Sequence, residues 1–246
     1  MNIEDFVLEL DNDQVPWRLF MPDDSTKEYA VLWIQGWSSS MDSHREGVER
    51  MSKRVGMTFA TLDPAGHGLH TLPLDESTRK QQFEEVTAVF DELKKRDYEK
   101  IIVIGGSFGG YMAALLCGKR PVHAVVLRAP ANYPDNEFEM PFKNTKRWSE
   151  HSFETVKNEG YNANNDAVSA IKQFPGMVYV LEHELDESVP KIMPQSYFAA
   201  AKHGNYLIIP KTEHSPKLMP NPQPHFDYIE HMVISIVEAI RLQAQL

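Results

Sequence analysis

The sequence predicts an α/β protein: a mostly parallel, eight-stranded sheet flanked by helices, with a short cap insertion. Three observations carry that expectation. Short apolar runs alternate with amphipathic segments along the chain, the order that strand and crossover-helix units produce. Several runs, such as AVLWI at 30–34 and IIVI at 101–104, are continuous rather than alternating, as in strands covered on both faces. The second of these runs directly into GGSFGGY at 105–111, a strand-to-helix turn too rich in glycine to be sheet.

Taken in order, strands are expected over 5–10, 15–21, 29–35, 57–63, 100–105, 123–129, 177–183 and 205–210. A helix over 76–97 follows from the spacing of Phe83, Val86, Val89, Phe90 and Leu93. A C-terminal helix follows from Ile229, Met232, Val233, Ile236, Val237 and Ile240, and YMAALLCGKR supplies one after the glycine turn. These apolar faces are read as core. Between Ala131 and Gln173 the periodicity lapses into Pro, Asn, aromatic and mixed charged residues. We read 131–173 as a cap inserted within a single domain spanning 1–246.

Composition sets limits on function. The 246 residues are 42% hydrophobic, enough for one substantial core. Acidic residues outnumber basic ones 35 to 25, a formal charge of -10 with no Lys/Arg cluster, so nucleic acid and anionic membranes are not expected partners. Cys117 is the only cysteine, which excludes an intrachain disulfide and a multi-cysteine zinc site. The N-terminus MNIEDFVLELDNDQ lacks the basic and apolar regions of a signal peptide, and no run has the length of a membrane span. A soluble, cytoplasmic protein is expected. Neither GxGxxG nor Walker spacing is present, so no dinucleotide or phosphate loop is expected; no cofactor and no metal site is assigned.

The chemistry centres on Gly105-Gly-Ser-Phe-Gly109. A strand entering a helix through Gly-x-Ser-x-Gly turns so tightly that the central residue is strained and its neighbours have no room for a Cβ. Ser107 is thereby pushed out above the sheet. A serine hydroxyl needs a base to become nucleophilic, and the base needs an orienting acid. Asp186 in ELDESVP and His214 in KTEHSP each follow a predicted strand, at the edge where parallel sheets place their ligands. Glu182, Glu184 and Glu187 compete for the acid role, and His183, His225 and His231 are read as packing or surface residues. Glu213 is read as facing solvent.

The order Ser107, Asp186, His214 resembles the α/β-hydrolases, and the chain is similar over nearly its whole length to the small serine esterases that include the feruloyl and cinnamoyl esterases. IQGWSSS at 34–40 stands where that family has its oxyanion loop, DPAGHG at 63–68 resembles its Asp-x-x-Gly-His-Gly turn, and DESVP at 186–190 its Asp-x-x-Val-Pro acid loop. That last match singles out Asp186 among the acids. The resemblance implies a carboxylesterase acting on small-molecule esters through an acyl-enzyme. Its oxyanion hole would be the backbone N–H groups of Phe108 and Trp37. His67 is read as structural. Gln35 replaces the family's usual His and retains hydrogen-bonding capacity, while Gly106 replaces another and is expected to leave space beside the turn. Phe138, Phe142 and Trp148, with Tyr133, Met140 and Phe153, are candidates to line an acyl pocket, and equally to form the small cap's own core. GGSFGGYMA is also similar to prolyl oligopeptidase catalytic domains, which keeps a peptidase or amidase as the alternative; a non-catalytic hydrolase-fold binder is the third reading.

Overall fold

The structure is a computed structural model that describes residues 1–11, 13–145 and 165–243. Eight strands form one sheet: β1 (Asn2–Leu10), β2 (Asp13–Met21), β3 (Tyr29–Ile34), β4 (Thr58–Leu62), β5 (Lys100–Gly106), β6 (Ala124–Arg128), β7 (Met177–His183) and β8 (Gly204–Ile209). Their spatial order is β1-β2-β4-β3-β5-β6-β7-β8. The β1/β2 and β2/β4 pairings are antiparallel and the others parallel. All eight strands lie within two residues of their expected limits except β1, which begins three earlier.

Helices cover both faces, which is why β3 is buried along its whole length. On one face α1 (Arg45–Val55) and α6 (Gln223–Gln243) pack Val48, Met51, Ile229, Val233 and Val237 against Val31, Ile102, Ile104 and Val126. On the other lie α2 (Arg79–Lys95), α3 (Phe108–Cys117), α4 (Asp166–Gln173) and α5 (Ile192–Ala200), with Val86, Phe90, Met112, Ile171 and Tyr197 against Leu32, Val103 and Leu127. Alternation along each strand assigns a residue to one layer or the other. Thus Leu127 belongs to the α2/α3 side, and Val126 and Arg128 face the α1/α6 side.

The expected insertion divides differently. Residues 166–173 are not irregular but form α4, capped by the Asn165 side chain accepting from the Val168 N–H at 2.9 Å, and Ala167 and Ile171 are buried in the core. Eight residues are too few for periodicity to stand out. Residues 131–145 do lack long elements, and they dock on the start of α2: the Phe142 N–H donates to Ser77 O at 3.0 Å, the Lys80 N–H to Phe138 O at 2.9 Å, and Arg79 to Glu137 at 2.7 Å. Trp148 and Phe153 lie outside the described residues.

A buried polar cluster sits where β2, α2 and the loop after β4 meet. Glu85 accepts from the Ala65 N–H at 2.6 Å, near His70 and Asp13. Burial, reinforced by Asp13, pushes the Glu85 carboxyl up to about 9 from an ordinary 4.5. Between those values the folded protein holds a proton that the unfolded chain has released, so stability falls as pH rises, by at most about 1.4 kcal/mol per pH unit for one proton. Glu85→Gln, which mimics the protonated acid, should gain stability relative to wild type progressively from pH 5 to 9 in urea unfolding. A constant difference across that range would show that Glu85 is ionised in the fold.

Candidate active site

Strand β5 ends in the glycine turn, and the backbone there is as tight as the sequence implies. Ser107 has φ 53° and ψ −118°, a strained conformation outside the usual regions for an L-residue. A Cβ on Gly105 would lie 2.2 Å from the Gly109 carbonyl oxygen, and one on Gly109 would lie 2.2 Å from that of Ile34. Helix α3 therefore starts in contact with the ends of its own strand and of β3. The strained residue is pinned by its N–H donating to Arg128 O at 2.9 Å and by its carbonyl accepting from Gly110 at 2.9 Å and Ala131 at 3.0 Å.

The loops after β7 and β8 bring the other two candidates to Ser107. His214 Nε2 lies 2.9 Å from Ser107 Oγ, and His214 Nδ1 lies 2.7 Å from Asp186 Oδ2. Asp186 Oδ1 accepts from the Ser188 and Val189 N–H groups, each at 2.8 Å. With Nδ1–H donating to that carboxylate, Nε2 is left to accept from the serine hydroxyl. The glutamates are occupied elsewhere: Glu182 is buried with Tyr206 and Lys191, and Glu184 accepts from the Lys211 N–H at 2.7 Å. His183 is buried and donates through Nδ1 to Glu213 O at 2.8 Å; the Glu213 side of that loop is exposed. His225 Nδ1 lies 3.1 Å from Thr212 Oγ1, and His231 is exposed.

Phe108 follows Ser107 directly, and neither its backbone N–H nor that of Trp37 has an acceptor among the described residues. The loop carrying Trp37 reaches the turn because Gly36 lies against it; a Cβ there would be 3.3 Å from that of Ser107. Gln35 braces this loop. Buried, it donates to Leu62 O and, at 3.0 Å, to Asp63 Oδ1, while accepting from Thr61 Oγ1 at 3.2 Å. Asp63 in turn accepts from the N–H groups of Met41 at 2.7 Å and Leu69 at 2.9 Å, which ties the 35–41 loop to the 63–69 turn. Burial holds the Asp63 carboxyl above its ordinary value. His67 is buried beside Ala65 O and stacked on Phe108, away from the Ser107 hydroxyl.

Ser107 and His214 open on a cavity of about 890 Å³. Phe142 lines it, with its ring 4.3 Å from Trp37 and perpendicular to it, and Tyr133 lies 5.6 Å from Phe108. Phe138 does not line it: its ring packs 6.2 Å from Phe83 on α2, under the loop. The expected space beside Gly106 is also filled. The Arg128 guanidinium lies there, and a Cβ on Gly106 would be 2.6 Å from Nη2. Arg128, Arg79 and His44 all line the cavity and were not among the sequence candidates. The available signal for Arg128 was a charge ending the apolar run AVVL, opposite Gly106 in the neighbouring strand.

Fold and site together define a serine hydrolase of the α/β-hydrolase class. The chain belongs to the family described as serine aminopeptidase, S33, whose model matches residues 26–183. No curated protein sequence matches it. Among solved structures it is similar to Est1E from Butyrivibrio proteoclasticus with ferulic acid bound, at 17% identity and TM-score 0.71, covering 97% of this chain and 98% of that one. It is also similar to an arylesterase (15% identity, TM-score 0.69, 98% and 84% covered) and to the thioesterase domain from the curacin biosynthetic pathway (12%, 0.67, 97% and 100%). At these identities the likeness is one of fold. Among the described residues no helix is long and apolar enough to cross a membrane.

The bracing role of Gln35 is open to direct test. Gln35→Ala removes the side-chain donor to Leu62 O and one of the three donors to Asp63, a loss of about 1–3 kcal/mol. Urea unfolding should show that loss, because the loop carrying Trp37 is no longer tied to Leu62 and Asp63 through Gln35. An unchanged midpoint would mean that the loop is held by Asp63 and Met41 alone.

Proposed function

We propose that the protein is a serine carboxylesterase that hydrolyses small to medium carboxylic esters, hydroxycinnamates among them, through an acyl-enzyme. The observation that carries this reading is the continuous hydrogen-bonded chain from Asp186 through His214 to Ser107, opening on an aromatic-walled cavity. In the first half-reaction Ser107 Oγ attacks the ester carbonyl as its proton passes to His214 Nε2. The developing oxyanion is met by the Phe108 and Trp37 N–H groups, and the imidazolium by Asp186. His214 then protonates the leaving alkoxide. In the second half-reaction it takes a proton from a water as the water oxygen bonds to the acyl carbon, and returns that proton to Ser107 Oγ as the acyl C–Oγ bond breaks and the acid leaves. Two nearby imidazoles stay out of this proton traffic: burial, with Arg128 close by, holds His44 down to about 4 and His183 down to about 3.

The family description favours a second reading, an aminopeptidase or amidase. Such an enzyme must hold a cationic α-amine. Setting aside Arg79, paired with Glu137 at 2.7 Å, and Glu230, paired with Arg50 at 2.6 Å, the cavity wall instead carries Arg128, Lys143 and Lys217 against Asp75. That imbalance favours esters over aminoacyl amides.

Ser107→Ala should abolish ester turnover and covalent labelling by a fluorophosphonate while the protein remains folded. Asp186→Asn should lower kcat by about 10⁴-fold, because the wrong imidazole tautomer is then favoured. Near-normal turnover by folded Ser107→Ala would end the assignment. Faster turnover of aminoacyl amides than of aryl and alkyl esters by wild type would favour the peptidase.

Phe142 and Phe138 separate pocket from scaffold. Truncating a ring that lines the acyl site removes apolar contact worth about 25 cal/mol per Å². Phe142→Ala should therefore cost hexanoyl and hydroxycinnamoyl esters at least several-fold more in kcat/KM than acetyl esters of the same alcohol. Phe138→Ala should lower stability without reordering the three substrates. Reordering by Phe138→Ala and not by Phe142→Ala would invert the assignment.

A further inference from the structure

The cavity extends to both sides of Ser107. Toward α2 it is walled by Phe142, Tyr133 and Arg79; toward α1 and α6 it runs beneath His44, Val48 and Ile229. Strand alternation puts Arg128 on the second side, between Gly106 of β5 and His183 of β7. With no side chain at Gly106, the guanidinium lies directly against the nucleophile turn.

This arginine has donors to spare. Among the described residues its hydrogen bond is from Nη1 to His183 Nε2, at 3.5 Å, long for such a bond and made to a neutral imidazole. A guanidinium offers five N–H donors. It forms no ion pair with a carboxylate among the described residues, and the neighbouring Asp186 is engaged by His214 and two backbone N–H groups. Burial without such a partner pulls the Arg128 pKa down, with Asp186 only partly offsetting it. Lys217 reinforces the field: both cations act on His44. Ser39 and Ser43 add hydroxyls to the same wall, with Ser39 Oγ 2.8 Å from His44 Nε2. Glu230, the carboxylate on this side, is held by Arg50. In a chain of net charge -10 this wall is a local concentration of positive charge.

We propose that the lobe beneath α1 and α6 binds a carboxylate carried by the ester substrate, with Arg128 as its partner. This rests on the esterase reading. It narrows the substrates to esters with a second, free carboxylate: half-esters of dicarboxylic acids, where the charge is on the acyl portion, or acyl esters of hydroxy acids, where it is on the alcohol. A planar guanidinium matches a carboxylate through two parallel N–H···O bonds. The same contact on the reacting ester would orient the carbonyl over Ser107.

Matched pairs test it. Monomethyl adipate is compared with methyl hexanoate for a charge on the acyl side, and 4-acetoxybutanoate with butyl acetate for a charge on the alcohol side. In at least one pair the carboxylate ester should have the higher kcat/KM, by about tenfold or more, and that pair identifies the portion that enters the lobe. Arg128→Gln should reduce this ratio by at least tenfold, and Arg128→Lys by less. Adipate should inhibit methyl hexanoate hydrolysis competitively, and should bind folded Ser107→Ala in calorimetry but not the Ser107→Ala/Arg128→Gln double variant. Ratios near one in both pairs with no adipate inhibition, while the neutral esters are turned over, overturn the proposal and leave the esterase standing. Arg128-dependent adipate binding without turnover of any ester keeps the anion site and rejects the esterase. If Arg128→Gln does not fold, the wild-type ratios and adipate competition make the same decision.

Discussion

The site depends on one close approach of backbones. Helix α3 begins against the ends of β3 and β5, with room for hydrogen atoms alone at Gly105 and Gly109. That approach forces Ser107 to a positive φ, at a cost of about 1–3 kcal/mol that neighbouring strands must hold in place. The restraint comes from the register of the sheet. The Arg128 carbonyl at the end of β6 accepts the Ser107 N–H, and the Ala131 N–H just beyond it fixes the Ser107 carbonyl. A slip of β6 by one residue would remove the first bond and turn Arg128 to the other face. Nucleophile and guanidinium are therefore set by the same pairing.

Around this turn, polar groups are buried in pairs that connect loops rather than stabilise helices. Gln35 and Asp63 join the Trp37 loop to the 63–69 turn, and Arg79 with Glu137 joins α2 to the segment carrying Phe142. Each pair removes charge or amide from water, which costs free energy unless the donors are met. They are largely met at Asp63, and one is not at Arg79, whose Nε has no partner among the described residues while its guanidinium lies over the Tyr133 ring at 4.9 Å. The loops that would shape an acyl pocket are thus attached through the buried network. Substitutions in that network should be felt at the site even where they touch no substrate.

Much of the fold was legible because its sheet is covered on both faces. Continuous apolar runs such as 30–34 and 101–104 have no other economical place in a chain of this size, and the glycine turn fixed where one of them must end. The candidate triad was proposed on related grounds: His214 and the acidic loop sit just beyond strands, and the resemblance of DESVP to a family acid loop, rather than position alone, chose Asp186 among the acids. What escaped has physical causes too. Helix α4 is short and contributes one buried side to α3, so its pattern is lost among its polar neighbours. Phe138 and Phe142 are indistinguishable by composition, and only the docking of 131–145 on α2 turns one ring toward Phe83 and the other toward Trp37. Glu85 lies on the buried side of α2 between apolar positions, where the helix pattern gives no hint that it meets Asp13 and His70 from distant segments.

Gly106 shows how far a single substitution in a motif can be read. In sequence it is a missing side chain, and the natural inference is empty space. In the sheet, the position one strand over is Arg128, whose side chain shares the same face and is long enough to cross. Glycine is what lets the arginine lie there: a Cβ would be 2.6 Å from Nη2, so a side chain at this position would displace the guanidinium from the turn. The two residues form one unit, a small position on β5 and a cation on β6, which places a positive charge beside a serine nucleophile without using a loop. Charges held by strands are more rigid than charges on loops. A guanidinium placed this way suits a ligand group at a fixed distance from the bond being broken.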